Sequence, residues 1–303
     1  MNDGLWLLNW EKCLYPEGYQ CDIAQYRLLK ECSESKCITK WNEWRERNPN
    51  TEIWLQGANL SQWDLQDADF SNANCERAHF WKAHCERALF QDANCAGASF
   101  QQAYCEKAEF NLAHCEKTRF WKADCNNACF CNAYCDQADF TLTHCQKAEF
   151  DFADCGNSVF ASANCEGANF SNASCEGALF VYANCEGAIF DRANLNNACF
   201  SNVIVSSRSS FLECKMNRNT LLTNSSLSSI MTESGTRALL ERNIRQAEWE
   251  KWYVDHPIQK WPVRFFWLIS DYGYSTGNVI LCFFATWVIF SSRVQLQSAT
   301  PAV

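Results

Sequence analysis

Phenylalanine occupies every tenth position from Phe70 to Phe200, and cysteine every midpoint from Cys75 to Cys185, without a gap. A representative stretch, Ala73-Asn74-Cys75-Glu76-Arg77-Ala78-His79-Phe80-Trp81-Lys82, is a pair of five-residue units, each with a small residue two places before a larger apolar one. A helix advances about 100° per residue, so five steps would leave the apolar position about 140° away and smear the pattern around the surface. A straight strand alternates faces, and an odd repeat would flip the apolar pair to the other side at each unit. The chain must therefore turn once per unit. Ala73 and Cys75 share a face, and a bend of roughly a right angle before Ala78 and Phe80 keeps that face on one axis. Four such bends close a square coil of about twenty residues.

Coils of that length sort the large side chains into columns. Phe70, Phe90, Phe110, Phe130, Phe150, Phe170 and Phe190 fall on one wall, and Phe80, Phe100, Phe120, Phe140, Phe160, Phe180 and Phe200 on the opposite one. The walls between them carry thiols, Cys75, Cys95, Cys115, Cys135, Cys155 and Cys175 on one and Cys85, Cys105, Cys125, Cys145, Cys165 and Cys185 on the other. Large rings set off by small thiols fill a narrow interior at native density. From Ile53 to about Val205 the repeats make about seven and a half coils, a rod about 36 Å long at about 4.8 Å per coil.

The run Ala-Asp/Asn-Leu/Phe, seen at Ala58-Asn59-Leu60, Ala68-Asp69-Phe70 and Ala193-Asn194-Leu195, resembles the pentapeptide-repeat proteins. The resemblance implies an all-β solenoid, a right-handed quadrilateral β-helix. The lead-in Trp41-Asn42-Glu43-Trp44-Arg45, with Asn48-Pro49 after it, is similar to that of many bacterial members.

The chain has 21 cysteines, an odd number. Its first residues lack the basic region and long apolar run of a secretory signal, so reduced thiols are expected. The ladder cysteines recur at ten instead of in close pairs, which reads as small buried hydrophobes and not as metal ligands. Neighbours in a column point the same way, so free thiols are expected although their spacing suits a disulfide. Cys129 and Cys131 break the pattern, and Cys131 with His114 and His144 is the one outward set that suggests a metal; no metal or cofactor is predicted.

Net charge is −9. Residues 53–205 carry nineteen acids against nine bases, residues 1–52 nine against seven, and residues 206–303 seven against ten. An acidic rod is a solvated, soluble face. Some relatives bind DNA gyrase by resembling duplex DNA, which is the alternative that the resemblance raises. Many acids here are followed directly by Arg or Lys, which cancels the field within a Debye length of about 8 Å. Nucleic acid is not an expected partner, nor is a small-molecule substrate, because no phosphate loop or acid–base pair in a cleft is visible and the interior is filled. An enzyme is not expected.

The ends of a β-helix are exposed edges that need covering. Residues 1–52 read as a helical N-terminal cap, with Ile38, Trp41 and Trp44 at helical spacing before Pro49. After Val205 the phase slips by one residue, and Phe211, Met216 and Leu221 continue the period with Ser209, Cys214 and Asn219 two places before them, a degraded coil over 206–230. Residues 231–260 read as an amphipathic helix and linker, with Leu240, Ile244 and Ala247 on one stripe and a stop at His256-Pro257.

Residues 261–303 change character, since nothing between Asp271 and Arg293 is charged. The apolar run from Val279 to Phe290 is shorter than the roughly twenty residues of a membrane span and also fits a buried helix. Trp261, Phe265, Phe266, Tyr272 and Tyr274 crowd upstream as an interfacial belt would. The membrane reading takes Trp267, Val279, Leu281, Phe283, Phe284, Trp287 and Phe290 as the anchor of a helical C-terminal tail. The segment Phe265-Phe266-Trp267-Leu268-Ile269-Ser270-Asp271-Tyr272-Gly273 is similar to the stretch by which pentapeptide-repeat proteins fused to a two-helix, potassium-channel-like module pass into the membrane. Only ten residues follow Arg293, too few for a pore loop and second helix, so a tether or a truncated regulatory module is expected instead of a channel. Lys251, Lys260 and Arg264 upstream against Arg293 downstream place the β-helix in the cytoplasm, beneath the inner membrane. The expected function is a non-enzymatic scaffold for an unidentified protein partner, tethered in this way or, alternatively, free in the cytoplasm.

Overall fold

A computed structural model describes residues 21–223, 230–255 and Arg264. Two units are distinguished, one ending at Glu233 and one beginning at Ser234.

The first unit is a β-solenoid whose walls are one bridge wide. Residue 54 pairs in parallel with residue 74, residue 59 with 79, and so on without a break to Asn184 with Ile204, always twenty apart. No strand longer than such a bridge forms among the described residues, because two of every five residues are spent on a corner. Corners are closed by a backbone hydrogen bond from the residue that follows them, small in nearly every unit, such as Ala78 N to Cys75 O at 2.9 Å. The third residue of every corner from Gly57 to Asn202 has positive φ, as in Arg77 at 55° and Gly97 at 64°. One positive φ at the third position is the pattern of a type II turn. No Val, Ile or Thr stands at any of these corner positions, where a branched Cβ would clash most. Adjacent coils exchange further bonds in both directions, such as Cys75 N to Asn94 O at 2.7 Å and Asn94 N to Ala73 O at 2.9 Å.

Inside, the fourteen phenylalanines at every tenth position from Phe70 to Phe200 are buried, and so are the twelve cysteines at every tenth position from Cys75 to Cys185. Phe130 lies parallel to Phe110 and Phe150 at 4.8 Å, and edge-on to Phe120 and Phe140 across the axis at 5.4 and 5.5 Å. Parallel stacking along a wall and edge-to-face contact between walls are both favourable for rings of this quadrupole, so two ladders mesh in one core. Where the small inward residue is polar, it returns its hydroxyl to the backbone. Thr118 Oγ1 donates to Cys95 O and Thr143 Oγ1 to Phe120 O, both at 2.7 Å.

Helix α1, Ile23–Glu34, starts at Asp22, whose side chain accepts from Ala24 N and Gln25 N, and α2 spans Thr39–Arg47. In the first coil, the wall N–H groups that would bond to a preceding coil face these helices instead. Trp54 N donates to Gln25 Oε1, Asp64 N to Ser33 Oγ, and Asp69 N to Asn42 Oδ1. Tyr26 Oη donates to Asn59 O and Trp41 Nε1 to Asp69 O, so carbonyls of the same edge are also satisfied. Trp41 is fully buried with its ring 6.1 Å from Phe70. An unpaired edge recruits other chains, and this one is occupied by side chains.

Beyond Val205 the spacing lengthens. Ile189 pairs with Ser210 and Asn194 with Lys215, twenty-one apart, then Cys199 pairs with Leu221, twenty-two apart. Phe211 remains in the Phe190 column at 4.8 Å. The sequence pattern placed Leu221 and Asn219 inward; the second slip instead buries Leu222 and Thr220, and Thr220 Oγ1 donates to Leu195 O. Pairing runs on to Met231 with Ser210.

The second unit is described through one helix, α3, Ser234–Asp255. Leu240, Arg242, Asn243 and Tyr253 are its buried residues, whereas Ile244 and Ala247 of the expected stripe are half-exposed. Among the described residues no helix is long and apolar enough to cross a membrane. The anchor residues Trp267, Val279, Leu281, Phe283, Phe284, Trp287 and Phe290 lie outside the described residues.

Candidate interaction surface

With its interior filled by rings and thiols, the solenoid meets other molecules through four outer walls and the corners between them. Each unit sends one wall residue and two corner residues outward, so residues twenty apart form vertical columns.

The lower and middle coils carry paired charges. Arg87 grips Asp67 of the previous coil with both nitrogens at 2.6 Å, and Lys107 lies 3.0 Å from Glu106. His84 and His114 contact Glu86 and Glu116 at 3.0 and 3.1 Å. These pairs are exposed or half-exposed and add little stability each, but the Arg87–Asp67 and Lys107–Glu106 pairs interrupt the acidic surface.

Aromatic columns run beside them. His84 stacks on Tyr104 at 4.6 Å and His114 on Tyr134 at 4.7 Å. Lys82 and Lys122 sit over the rings of Trp81 and Trp121 at 4.6 and 4.4 Å. A groove of about 540 Å³ opens here, lined by Gln102, Ala103, Tyr104, Lys122, Asp124, Leu142 and His144. The pattern of ten hides these pairs because they repeat at twenty or forty; writing the chain in rows of twenty aligns His84 with Tyr104 and Trp81 with Trp121.

The upper coils differ. Between Gly156 and Phe190 only Glu166, Glu176 and Glu186 are acidic, each followed by glycine. Leu179, Tyr182 and Ile204 are 40%, 63% and 54% exposed, with Ile189 and Leu212 also outward.

The structure does not bring together the metal trio suggested by sequence. His114 lies on the Cys75 wall beside Tyr134, His144 on the Cys85 wall in the groove, and Cys131 on the corner after Phe130. Among the described residues no three His, Cys, Asp or Glu side chains could hold a metal ion. Every described cysteine is a free thiol. Burial pushes the thiols of Cys85, Cys125 and Cys145 well up, which keeps them protonated and inert.

The family model described as pentapeptide repeats matches in eight copies, over residues 52–74, 68–104, 138–174 and 168–206. No curated protein matches the chain. Among solved structures it is similar to HetL, a pentapeptide repeat protein involved in heterocyst differentiation regulation from the cyanobacterium Nostoc sp. strain PCC 7120, at 21% identity and a TM-score of 0.29, covering 59% of this chain and 85% of that one. It is also similar to QnrB1, a plasmid-mediated fluoroquinolone resistance protein, at 15% identity and a TM-score of 0.34, covering 60% and 83%. A pentapeptide repeat protein from the Arabidopsis thaliana thylakoid lumen is 24% identical with a TM-score of 0.23, covering 36% and 66%.

Proposed function

We propose that this chain, which carries pentapeptide repeats through its central β-solenoid, is a non-enzymatic scaffold, a right-handed quadrilateral β-helix that presents its walls to a protein partner. The observation that carries the reading is the contrast between a filled interior, without room for a substrate, and the outward apolar residues Leu179, Tyr182 and Ile204, which lie on two adjoining walls and the corner between them in coils with few charges. Apolar side chains grouped on a rigid surface are what a protein interface uses. A photocrosslinking residue at Tyr182 is expected to trap one discrete partner in the source cells, whereas the same residue at Lys117 traps none. Equal, diffuse trapping at both positions would overturn the reading.

The membrane tether rests on the sequence of residues 261–303. A reporter active only after export gives signal when fused after Val303 and none when fused after Ser229, if the tail crosses the inner membrane and the solenoid stays in the cytoplasm. Signal from neither fusion favours a free cytoplasmic scaffold or a truncated regulatory module. Gyrase binding by duplex mimicry is the second reading, favoured by the excess of acids over bases in the rod. It predicts inhibition of supercoiling by the purified chain; the ion pairs that divide the acidic surface speak for no inhibition.

A further inference from the structure

The two cysteines that stand outside the ladders meet each other. Cys129 is the wall residue before Phe130, pairing with Glu109 and Glu149 of the adjacent coils, and Cys131 is the first corner residue after it. Flanking an inward residue puts both side chains on the outer side. Their Sγ atoms are 2.9 Å apart, and both residues are half-buried, within reach of small reagents. A disulfide bond is about 2.05 Å long, so closing one here needs a movement of less than about 1 Å.

We propose that Cys129 and Cys131 form a dithiol modification site, oxidised to an intramolecular disulfide by exchange with a small, uncharged disulfide. The Cys129 thiolate attacks one sulfur of R–S–S–R, forms a mixed disulfide and expels RS⁻, which takes up a proton. Cys131 gives its proton to solvent and attacks Cys129 Sγ in that mixed disulfide, expelling the second RS⁻, which is protonated in turn. The two cysteines lose two hydrogens and R–S–S–R is reduced to two RSH.

Contact with the Cys131 thiol holds the Cys129 thiol down at about 7 and pushes Cys131 up. More thiolate is then present at neutral pH, but a less basic thiolate is a weaker nucleophile, and the two effects nearly cancel. Proximity decides the outcome, since the second step joins atoms already in contact. Of the carboxylates that face the pair, Glu149 and Glu109 oppose the lowering of Cys129, and Glu149 and Asp151 push Cys131 up further. These carboxylates also repel anionic reagents, which is why the reagent is uncharged.

The test uses the full-length reduced protein, native at neutral pH, with bis(2-hydroxyethyl) disulfide, followed by acid quenching, alkylation with N-ethylmaleimide and mass spectrometry. Chymotrypsin cuts after Phe130, between the two cysteines, so fragments ending at Phe130 and beginning at Cys131 stay joined only through a disulfide. The expected result is this joined pair, lacking two hydrogens, with no maleimide or hydroxyethyl adduct on Cys129 or Cys131, and separated by dithiothreitol. In the Cys131→Ser variant Cys129 is expected to stop at the hydroxyethyl mixed disulfide. A mixed disulfide accumulating on Cys129 in the unaltered protein, or full maleimide labelling of both cysteines after exposure, would overturn the proposal.

Discussion

The coils from Phe70 to Phe200 and those that follow Val205 share one architecture and differ in how strictly it is kept. In the first set every wall repeats at twenty and each interior ring lies parallel to its column neighbours at 4.4 to 5.1 Å. In the second the spacing grows to twenty-one and twenty-two, and the inward positions become Ser209, Phe211, Thr220 and Leu222. Serine and threonine hydroxyls reach back to the carbonyls of Cys185 and Leu195, so polar groups enter the core without being orphaned. Ring stacking and coil pairing both tolerate one extra residue at a corner, since Phe211 stacks on Phe190 across twenty-one residues, and it is after the second slip that the buried ring gives way to Leu222. Since each coil touches only its neighbours, a lapse in spacing lowers stability locally.

The contrast can be broken most sharply by thiol accessibility. In the native protein Cys125 and Cys145 should react with a maleimide on the order of a thousandfold or more slower than Cys199, because they are reached only by opening the rod; similar rates would mean that the strict coils open as readily as the surface. Next in size is Phe130→Ala, expected to cost about 3 to 5 kcal/mol in denaturant melts. Phe211→Ala should cost less, about 3 kcal/mol, since among the described residues Phe211 has two ring partners, Phe190 and Phe200, where Phe130 has four. Equal losses at the two positions would erase the proposed difference between the coils. A corner substitution, Asn127→Val, places a branched Cβ at a φ of 56° and should cost about 1 to 2 kcal/mol, while Asn127→Gly stays near neutral; reversal of that order would show that the turn is not what constrains the corner. Glu116→Ala, on the outer face, should change stability by under about 0.5 kcal/mol.

Much of the interior could be read from the chain because burial and period coincide there. A residue such as Phe130 must be large and apolar to fill its level, and nothing else at that spacing would do. The corners were harder to read because their signal is an exclusion: Arg77, Leu112, Phe152 and Tyr182 share no polarity or size, only the lack of a branched Cβ. Helix α1 escaped notice because its working residues, Gln25 and Ser33, are polar groups buried to satisfy the first coil's backbone, and apolar periodicity does not detect such a task. The second slip was obscured by Leu221 and Leu222, adjacent residues that suit either register equally. On the surface, the dithiol pair was visible only as two cysteines out of phase, since sequence spacing does not say which way their sulfurs turn.

Alternation of phenylalanine and cysteine around the coil also limits how such a chain can lengthen. Inserting five residues would rotate everything beyond by about a quarter turn and set each ring above a thiol, leaving voids on one pair of walls and collisions on the other. Ten residues turn the rod by half and restore ring on ring, although the outward columns change sides. Only twenty preserve both the interior and the surface. The chain is therefore written in fives, but counted in whole units the smallest step that keeps ring on ring is two, and a partner that reads one wall would keep its footing only through steps of a whole coil.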